Sequence, residues 1–269
     1  MTAVIDTHVH VIAPDEARYP LDPSGATAPW YRDDPCSVER LLGLLDDHDV
    51  AGAVLVQAIS AYRFDNRYAL DAAAAHPGRT TAVACVDLAA DDPAAEASRV
   101  VSAGARGLRW VAIHDGGLVE PAGVWAVAAR ARLPVVVTIL ATHLPGLADA
   151  LPRLPRVPLA LDHCGFADFA HGVPDELAVL AEAPNLALKV STIALDHAAA
   201  HGDVRELLGD LVDRFGADRL MWGSDYSQTH DRPYGDTVEY ARQAASKLRD
   251  DDREAFLAGT ARSYWPELA

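Results

Sequence analysis

Basic residues are in short supply. Among 269 residues, Lys and Arg total 23 against 39 Asp and Glu, for a formal charge of −16. A surface that acidic repels nucleic acid and anionic membranes, so neither is expected as a partner. An anionic small molecule stays compatible with it, because a pocket can be locally basic. Cysteine is also scarce. Cys36, Cys85 and Cys164 are odd in number, far apart and form no CxxC pair. That argues against a disulfide framework and against a cysteine zinc site. They read as small buried apolar residues in a reducing compartment. The opening Met-Thr-Ala-Val-Ile-Asp has no basic stretch followed by an apolar one, and no apolar run is long enough to span a bilayer. A soluble cytoplasmic protein is the expectation. Linkers, low-complexity tracts and internal repeats are lacking too, so one domain is expected over residues 1–269.

What is present is an alternation of short apolar runs with amphipathic stretches. Candidate strands are Ala3–His8, Gly52–Gln57, Thr80–Val86, Ala105–Trp110, Pro134–Ile139, Val157–Asp162, Leu186–Ser191 and Arg219–Ser224. They are rich in Val, Leu, Ile and Ala without strict polar alternation, as in strands covered on both faces. Between them, Val38, Leu41, Leu42 and Leu45 mark one buried stripe of a helix over Ser37–Asp47. Leu207, Leu208, Leu211 and Val212 do the same within Val204–Phe215. Eight such strands, each followed by a helix, predict a single (β/α)8 TIM barrel with its active site at the C-terminal ends of the strands. A doubly wound open sheet is the alternative. It would want a glycine-rich phosphate turn after the first strand, where this chain has His8-Val9-His10. The longest irregular stretch, residues 11–36, follows that strand and carries Tyr19, Trp30 and Tyr31. It reads as a loop over the catalytic face, a lid or substrate wall.

Three strand ends hold groups suited to chemistry. Residues two apart on a strand point the same way, so His8 and His10 face the barrel axis together. Two imidazoles so placed can bind a divalent metal or polarise a carbonyl. His163 ends the sixth strand in Leu161-Asp162-His163-Cys164-Gly165; it could equally be a hydrogen-bonded core histidine. Asp225 ends the eighth, which barrel closure brings beside the first; it could equally cap the following helix. A carboxylate there can ligate metal and take a proton from water.

Taken in order, these pieces resemble the amidohydrolase superfamily, in particular its lactonase-type group of pyrone-dicarboxylate, sugar-lactone and muconolactone hydrolases. The resemblance runs through Ile5-Asp6-Thr7-His8-Val9-His10, Val54-Leu55-Val56-Gln57, Phe64-Asp65-Asn66 and Arg106-Gly107-Leu108-Arg109. It continues through Leu161–Gly165, Leu188-Lys189-Val190-Ser191, Arg219–Asp225 and Gly259-Thr260-Ala261-Arg262. It implies hydrolysis of a small lactone or cyclic ester. Asp225 would activate water, and His8, His10 and His163 would surround the substrate carbonyl. Arg109 would bind an anionic or polar substrate group, with an ion-paired structural residue as the alternative. Gln57 and Tyr62 would line the pocket, with ordinary loop packing as the alternative, and Tyr31 and His230, by their place on loops at the catalytic face, are further candidates. One divalent metal such as zinc on His8, His10 and Asp225 is one version; a metal-independent enzyme is the other.

The chain departs from that pattern twice. The fifth strand, Pro134–Ile139, has no histidine where many metal-dependent relatives place a ligand, and His143 comes only a few residues later. After the fourth strand, Asp115 within His114-Asp115-Gly116-Gly117 stands where pyrone-dicarboxylate lactonases carry a further arginine. A mono-anionic or neutral substrate is therefore expected over a dicarboxylate. The rival functions are a metal-dependent decarboxylase or C–C hydrolase of the same superfamily and a non-catalytic ligand-binding barrel. In each case the partner is a small molecule, with the oligomeric state left open.

Overall fold

Strands that are apolar on both faces need a cover on each side, and the chain supplies two different ones. In a computed structural model describing residues 2–23, 29–112, 122–154 and 156–268, eight parallel strands follow one another around the sheet in sequence order. They are β1 Val4–Val9, β2 Val50–Val56, β3 Thr80–Cys85, β4 Gly107–Ala112, β5 Val135–Ile139, β6 Leu159–Leu161, β7 Leu186–Ser191 and β8 Leu220–Gly223. Outward residues such as Leu55, Val135, Val137, Leu159, Leu161, Leu186 and Leu188 join one large core beneath the surrounding helices. Their inward neighbours, Val54, Val56, Val136, Ala160, Ala187 and Met221, form a second core inside the barrel. This strict in–out alternation is invisible as polarity because both sides are apolar.

The barrel floor is plugged by the C-terminus. Helices Asp250–Glu254 and Thr260–Tyr264, joined by the π-turn Ala255–Gly259, bring Ala258, Ala261, Trp265 and Leu268 against the inner core. The Thr81 hydroxyl donates to Glu267 Oε1 at 2.6 Å and fastens this plug to β3.

The seam between β8 and β1 closes partly through side chains. The Asp225 N–H donates to the His8 carbonyl at 2.8 Å, and the His10 N–H to the Tyr226 carbonyl at 2.6 Å. Below them the Thr7 hydroxyl donates to the Trp222 carbonyl at 2.6 Å, and the Ser224 N–H to Asp6 Oδ1 at 2.9 Å. A register shift lies between Asp6 and Val9. It changes the parity of β1, so Ile5 faces the axis in the floor while Val9 faces the outer core. His8 and His10 consequently point inward above Ile5.

The helix expectations hold at Val38–Asp47, capped by the Ser37 hydroxyl, and at Val204–Phe215, capped by Asp203 and ended by Gly216 in a left-handed conformation. Several strand bounds differ from expectation, and β2 begins two residues earlier than expected, at Val50. β4 begins two residues later than the apolar run suggested. β6 is only three residues long, because His163, Cys164, Gly165 and Phe166 all take positive φ, between 51 and 65°. The helix expected after β6 shrinks to Asp175–Ala178 and a short 3-10 turn, whereas β7 is followed by two helices, Thr192–Ala199 and Val204–Phe215. No helix among the described residues is long and apolar enough to cross a membrane. The three cysteines are free and buried.

Candidate active site

Alternation along each strand lifts polar side chains directly above the apolar floor. Two residues beyond Val136, Ala160 and Ala187 come Thr138, Asp162 and Lys189, and Arg109 stands two beyond Gly107. All four are buried, with Asp162 and Lys189 fully so. Asp162 is their hub. Its Oδ1 lies 3.2 Å from Lys189 Nζ and 3.0 Å from His8 Nδ1. Its Oδ2 accepts the Thr138 hydroxyl at 2.6 Å and Arg109 Nε at 3.2 Å. Burial pushes the Asp162 carboxyl up, but Lys189, His8 and Arg109 more than reverse this and hold it well below the usual carboxylate range.

The next tier up holds the candidate reactive groups. His8 Nε2 and His10 Nε2 each lie 3.5 Å from Asp225 Oδ1, and His163 Nε2 lies 4.0 Å from the same oxygen. Each imidazole is fixed from behind: His8 Nδ1 by Asp162, His10 Nδ1 by the Val56 carbonyl at 2.8 Å, and His163 Nδ1 by the Ser191 hydroxyl at 2.9 Å. The other oxygen of Asp225 accepts the Thr229 hydroxyl at 2.9 Å. Four residues from three distant strand ends thus converge on one point, as the sequence predicted.

The left-handed turn after β6 explains how consecutive residues serve both tiers. Asp162 faces the hub while His163, at φ 54°, turns to face Asp225. Such backbone costs about 1 kcal/mol or more per non-glycine residue. The third position must be glycine for a second reason, since a Cβ on Gly165 would sit 2.6 Å from Leu144 Cδ2.

The electrostatics suit a cation. Burial lowers the pKa of His8 strongly, against the pull of Asp162, and lowers that of His163 against the pull of Asp225. Burial raises the Asp225 carboxyl, but the surrounding imidazoles of His10, His163 and His8 more than reverse this and hold it below the usual carboxylate range. The Val56 carbonyl can only accept, so the neutral His10 carries its proton on Nδ1 and offers a lone pair at Nε2. His8 Nε2 and Asp225 Oδ1 are buried with no hydrogen-bond partner. Lone pairs of nitrogen and carboxylate oxygen facing one another at this spacing form a donor set that fits a divalent metal. By distance alone, the ligand atoms of His8, His163 and Asp225 lie within 4.8 Å of one another. By proton placement, His10 is the better third donor.

The expected pocket residues make the following contacts. Arg109 belongs to the hub: besides Asp162 and Thr138, it donates to the Gln57 carbonyl at 3.2 Å. Gln57 spends its amide on the Arg63 and Asp65 carbonyls. Tyr62 accepts the Ala13 N–H at 2.8 Å and anchors the first loop. Tyr31 packs edge-on against Trp30. His230 is half-buried, with Nδ1 3.0 Å from the Gln228 carbonyl of its own turn. His114 and Asp115 lie outside the described residues, as does the 24–28 part of the first loop. The walls beside the imidazoles come from two aromatics, Trp30 of the loop read from sequence as a substrate wall and Phe166, which the sequence did not single out. Trp30 tilts over His10 with ring centroids 5.5 Å apart and donates its Nε1–H to Ser60 Oγ. Phe166 lies 4.8 Å from the His163 ring and is 38% exposed. Lys189, Thr138 and Asp162 were missed as site residues; their signal is the inward parity two positions past a floor residue.

Comparison with known proteins bears on the family and the fold. The amidohydrolase family profile matches residues 5–266. An L-fucono-1,5-lactonase of Burkholderia ambifaria is 30% identical over 96% of this chain and 93% of its own length. A Pseudomonas putida protein assigned as a 2-pyrone-4,6-dicarboxylic acid hydrolase superposes with a TM-score of 0.78 at 24% identity, covering 99% of this chain and 98% of its own. A 2,6-dihydroxybenzoate decarboxylase shares the fold with a TM-score of 0.71 at 16% identity, over 99% of each chain. The chain belongs to the amidohydrolase family.

Proposed function

We propose that this amidohydrolase opens the ring of a small lactone by water, with sugar lactones as the favoured substrate class. The observation that carries the reading is the convergence of three imidazole Nε2 atoms on the one unpartnered oxygen of Asp225. The relative that acts on a fucono-lactone supports the substrate class.

Asp225, ionised and aimed into the cluster, takes the proton of the attacking water as its oxygen bonds to the lactone carbonyl carbon. His163 is the proton donor. Its Nδ1 partner is a hydroxyl, which can donate as well as accept, so its Nε2 is free to carry a proton. As the tetrahedral species collapses, the ring C–O bond breaks and the departing alkoxide takes that proton, giving the open hydroxy acid, and the proton taken up by Asp225 returns to His163 Nε2, 4.0 Å away. A divalent cation such as zinc, held by His8, His10 and Asp225, would supply Lewis-acid polarisation of the carbonyl. Trp30 and Phe166 border the cluster as apolar walls against which a sugar ring can rest.

The test is a lactone panel assayed with and without chelator, together with metal analysis of the purified protein and Asp225→Asn. Ring-opened acid should appear, and the variant should lose about a hundredfold or more in kcat. Full turnover by Asp225→Asn, or release of CO2 in place of a hydroxy acid, overturns the reading.

A further inference from the structure

Every group that touches Asp162 is a donor. Lys189 Nζ, Arg109 Nε and Nη2 and the Thr138 hydroxyl carry hydrogens toward it, at 3.2, 3.2, 3.2 and 2.6 Å. Thr138 is itself fixed as a donor to Asp162, because its oxygen accepts Arg109 Nε at 3.0 Å. The carboxylate is thus surrounded on β4, β5 and β7 and presents one remaining direction, to His8 Nδ1 on β1 at 3.0 Å. An acceptor-only carboxylate leaves the imidazole a single role in that contact. It must donate, and its Nε2 must then hold a lone pair when the ring is neutral.

We propose that Asp162, ion-paired with Lys189 and Arg109, is a positioning residue that locks His8 in the Nδ1–H tautomer and so aims a nitrogen lone pair at Asp225. Lys189 acts through Asp162 and touches no reacting atom. It is pinned from below, where its Nζ lies 5.5 Å from the Trp265 ring centroid of the C-terminal plug. The plug, the lysine, the carboxylate and the imidazole form one stack from the barrel floor to the reactive tier. The same logic applies on the neighbouring side with a cheaper device, since the Val56 carbonyl fixes His10 without any charge. A charged hub serves His8 because one carboxylate can also tie three other strands, β4, β5 and β7, around the axis.

This deepens the proposed lactone hydrolysis and rests on it for its catalytic consequence, whereas the tautomer is a property of the resting protein. The experiment therefore reads the tautomer directly. Ring 15N resonances of the chelator-treated, histidine-labelled protein, with His8 assigned by difference against His8→Asn, should show a protonated Nδ1 and a bare Nε2. Lys189→Met keeps the acceptor-only carboxylate and should keep the Nδ1–H tautomer, whereas Asp162→Asn, whose amide can donate or accept, should leave a mixture of both tautomers. Asp162→Asn should weaken zinc binding, measured by competition with a chromophoric chelator, by tenfold to a hundredfold. A neutral Nε2–H His8 in the wild type overturns the proposal whether or not the variants fold. So does unchanged zinc affinity in a folded Asp162→Asn. Failure to hydrolyse any lactone with a Nδ1–H His8 would sink the proposed function and leave this inference standing.

Discussion

Gly223 and His8 face each other across the seam that closes the barrel, so closely that a Cβ on Gly223 would lie 2.7 Å from His8 Cβ and 3.1 Å from its backbone nitrogen. The missing side chain is what lets β8 approach β1 and deliver Asp225 to the imidazoles. Gly223→Ala should push the two strands apart. We expect a stability loss of about 1–3 kcal/mol from overpacking, read by urea denaturation. Turnover should fall by about tenfold or more from misplacement of His8. A variant with wild-type turnover would show that the seam spacing does not set the site.

Metal removal should cost stability as well as activity. Zinc added at about a hundred times its dissociation constant should stabilise chelator-treated protein by about 2.7 kcal/mol, seen as a higher Tm. His8→Asn and Asp225→Asn should abolish that increment. An equal increment in both variants would place the cation somewhere else.

Asp6 gives a pH signature of the opposite sign to most carboxylates. Burial raises its pKa to about 6, against hydrogen bonds from Ser224, His8 and Tyr234. The unfolded chain therefore releases this proton at lower pH than the folded one. Stability falls as pH rises from about 4 to about 6, by about 3 kcal/mol in all. Asp6→Asn keeps an oxygen for the Ser224 and His8 N–H groups and an amide for the Tyr234 hydroxyl. Chelator-treated Asp6→Asn should show a flatter stability profile across that window, measured by denaturant midpoints at each pH. A profile parallel to wild type would contradict the assignment.

Trp265 is fully buried in the plug. Trp265→Ala should cost about 3–5 kcal/mol by cavity formation and should free the ammonium of Lys189 beneath the hub. Thermal melts check the first effect. The second is checked by the His8 nitrogen resonances, which should move even though Trp265 is remote from the reactive tier.

The barrel and the quartet of His8, His10, His163 and Asp225 were legible in the sequence for one reason. Strand ends in a closed parallel barrel share a face, so strand order alone brings residues 8 and 225 together. Lys189 and Thr138 were harder to see because nothing local marks which face of an all-apolar strand is inward. Parity had to come from three-dimensional packing, and in β1 a register shift resets it between Ile5 and His8. Arg109 illustrates the same blindness from the other direction. An arginine at a strand end looks like a substrate anchor, and only the positions of Asp162 and Thr138 show that its fork is engaged within the barrel. The extent of β6 was misjudged because a left-handed run of His163, Cys164 and Phe166 defies the preferences of those residue types.

That run imposes a length constraint on adaptation. Since neighbours 162 and 163 are dealt to different storeys of the lumen, inserting or deleting one residue there would exchange a foundation carboxylate for a working imidazole. Insertions after β1 carry no such penalty, because the described part of that loop is moored independently through Ala13 to Tyr62 and Trp30 to Ser60. New substrate preferences in this scaffold should therefore arise by remodelling the first loop and exchanging Phe166, with the spacing from Leu161 to Gly165 left intact.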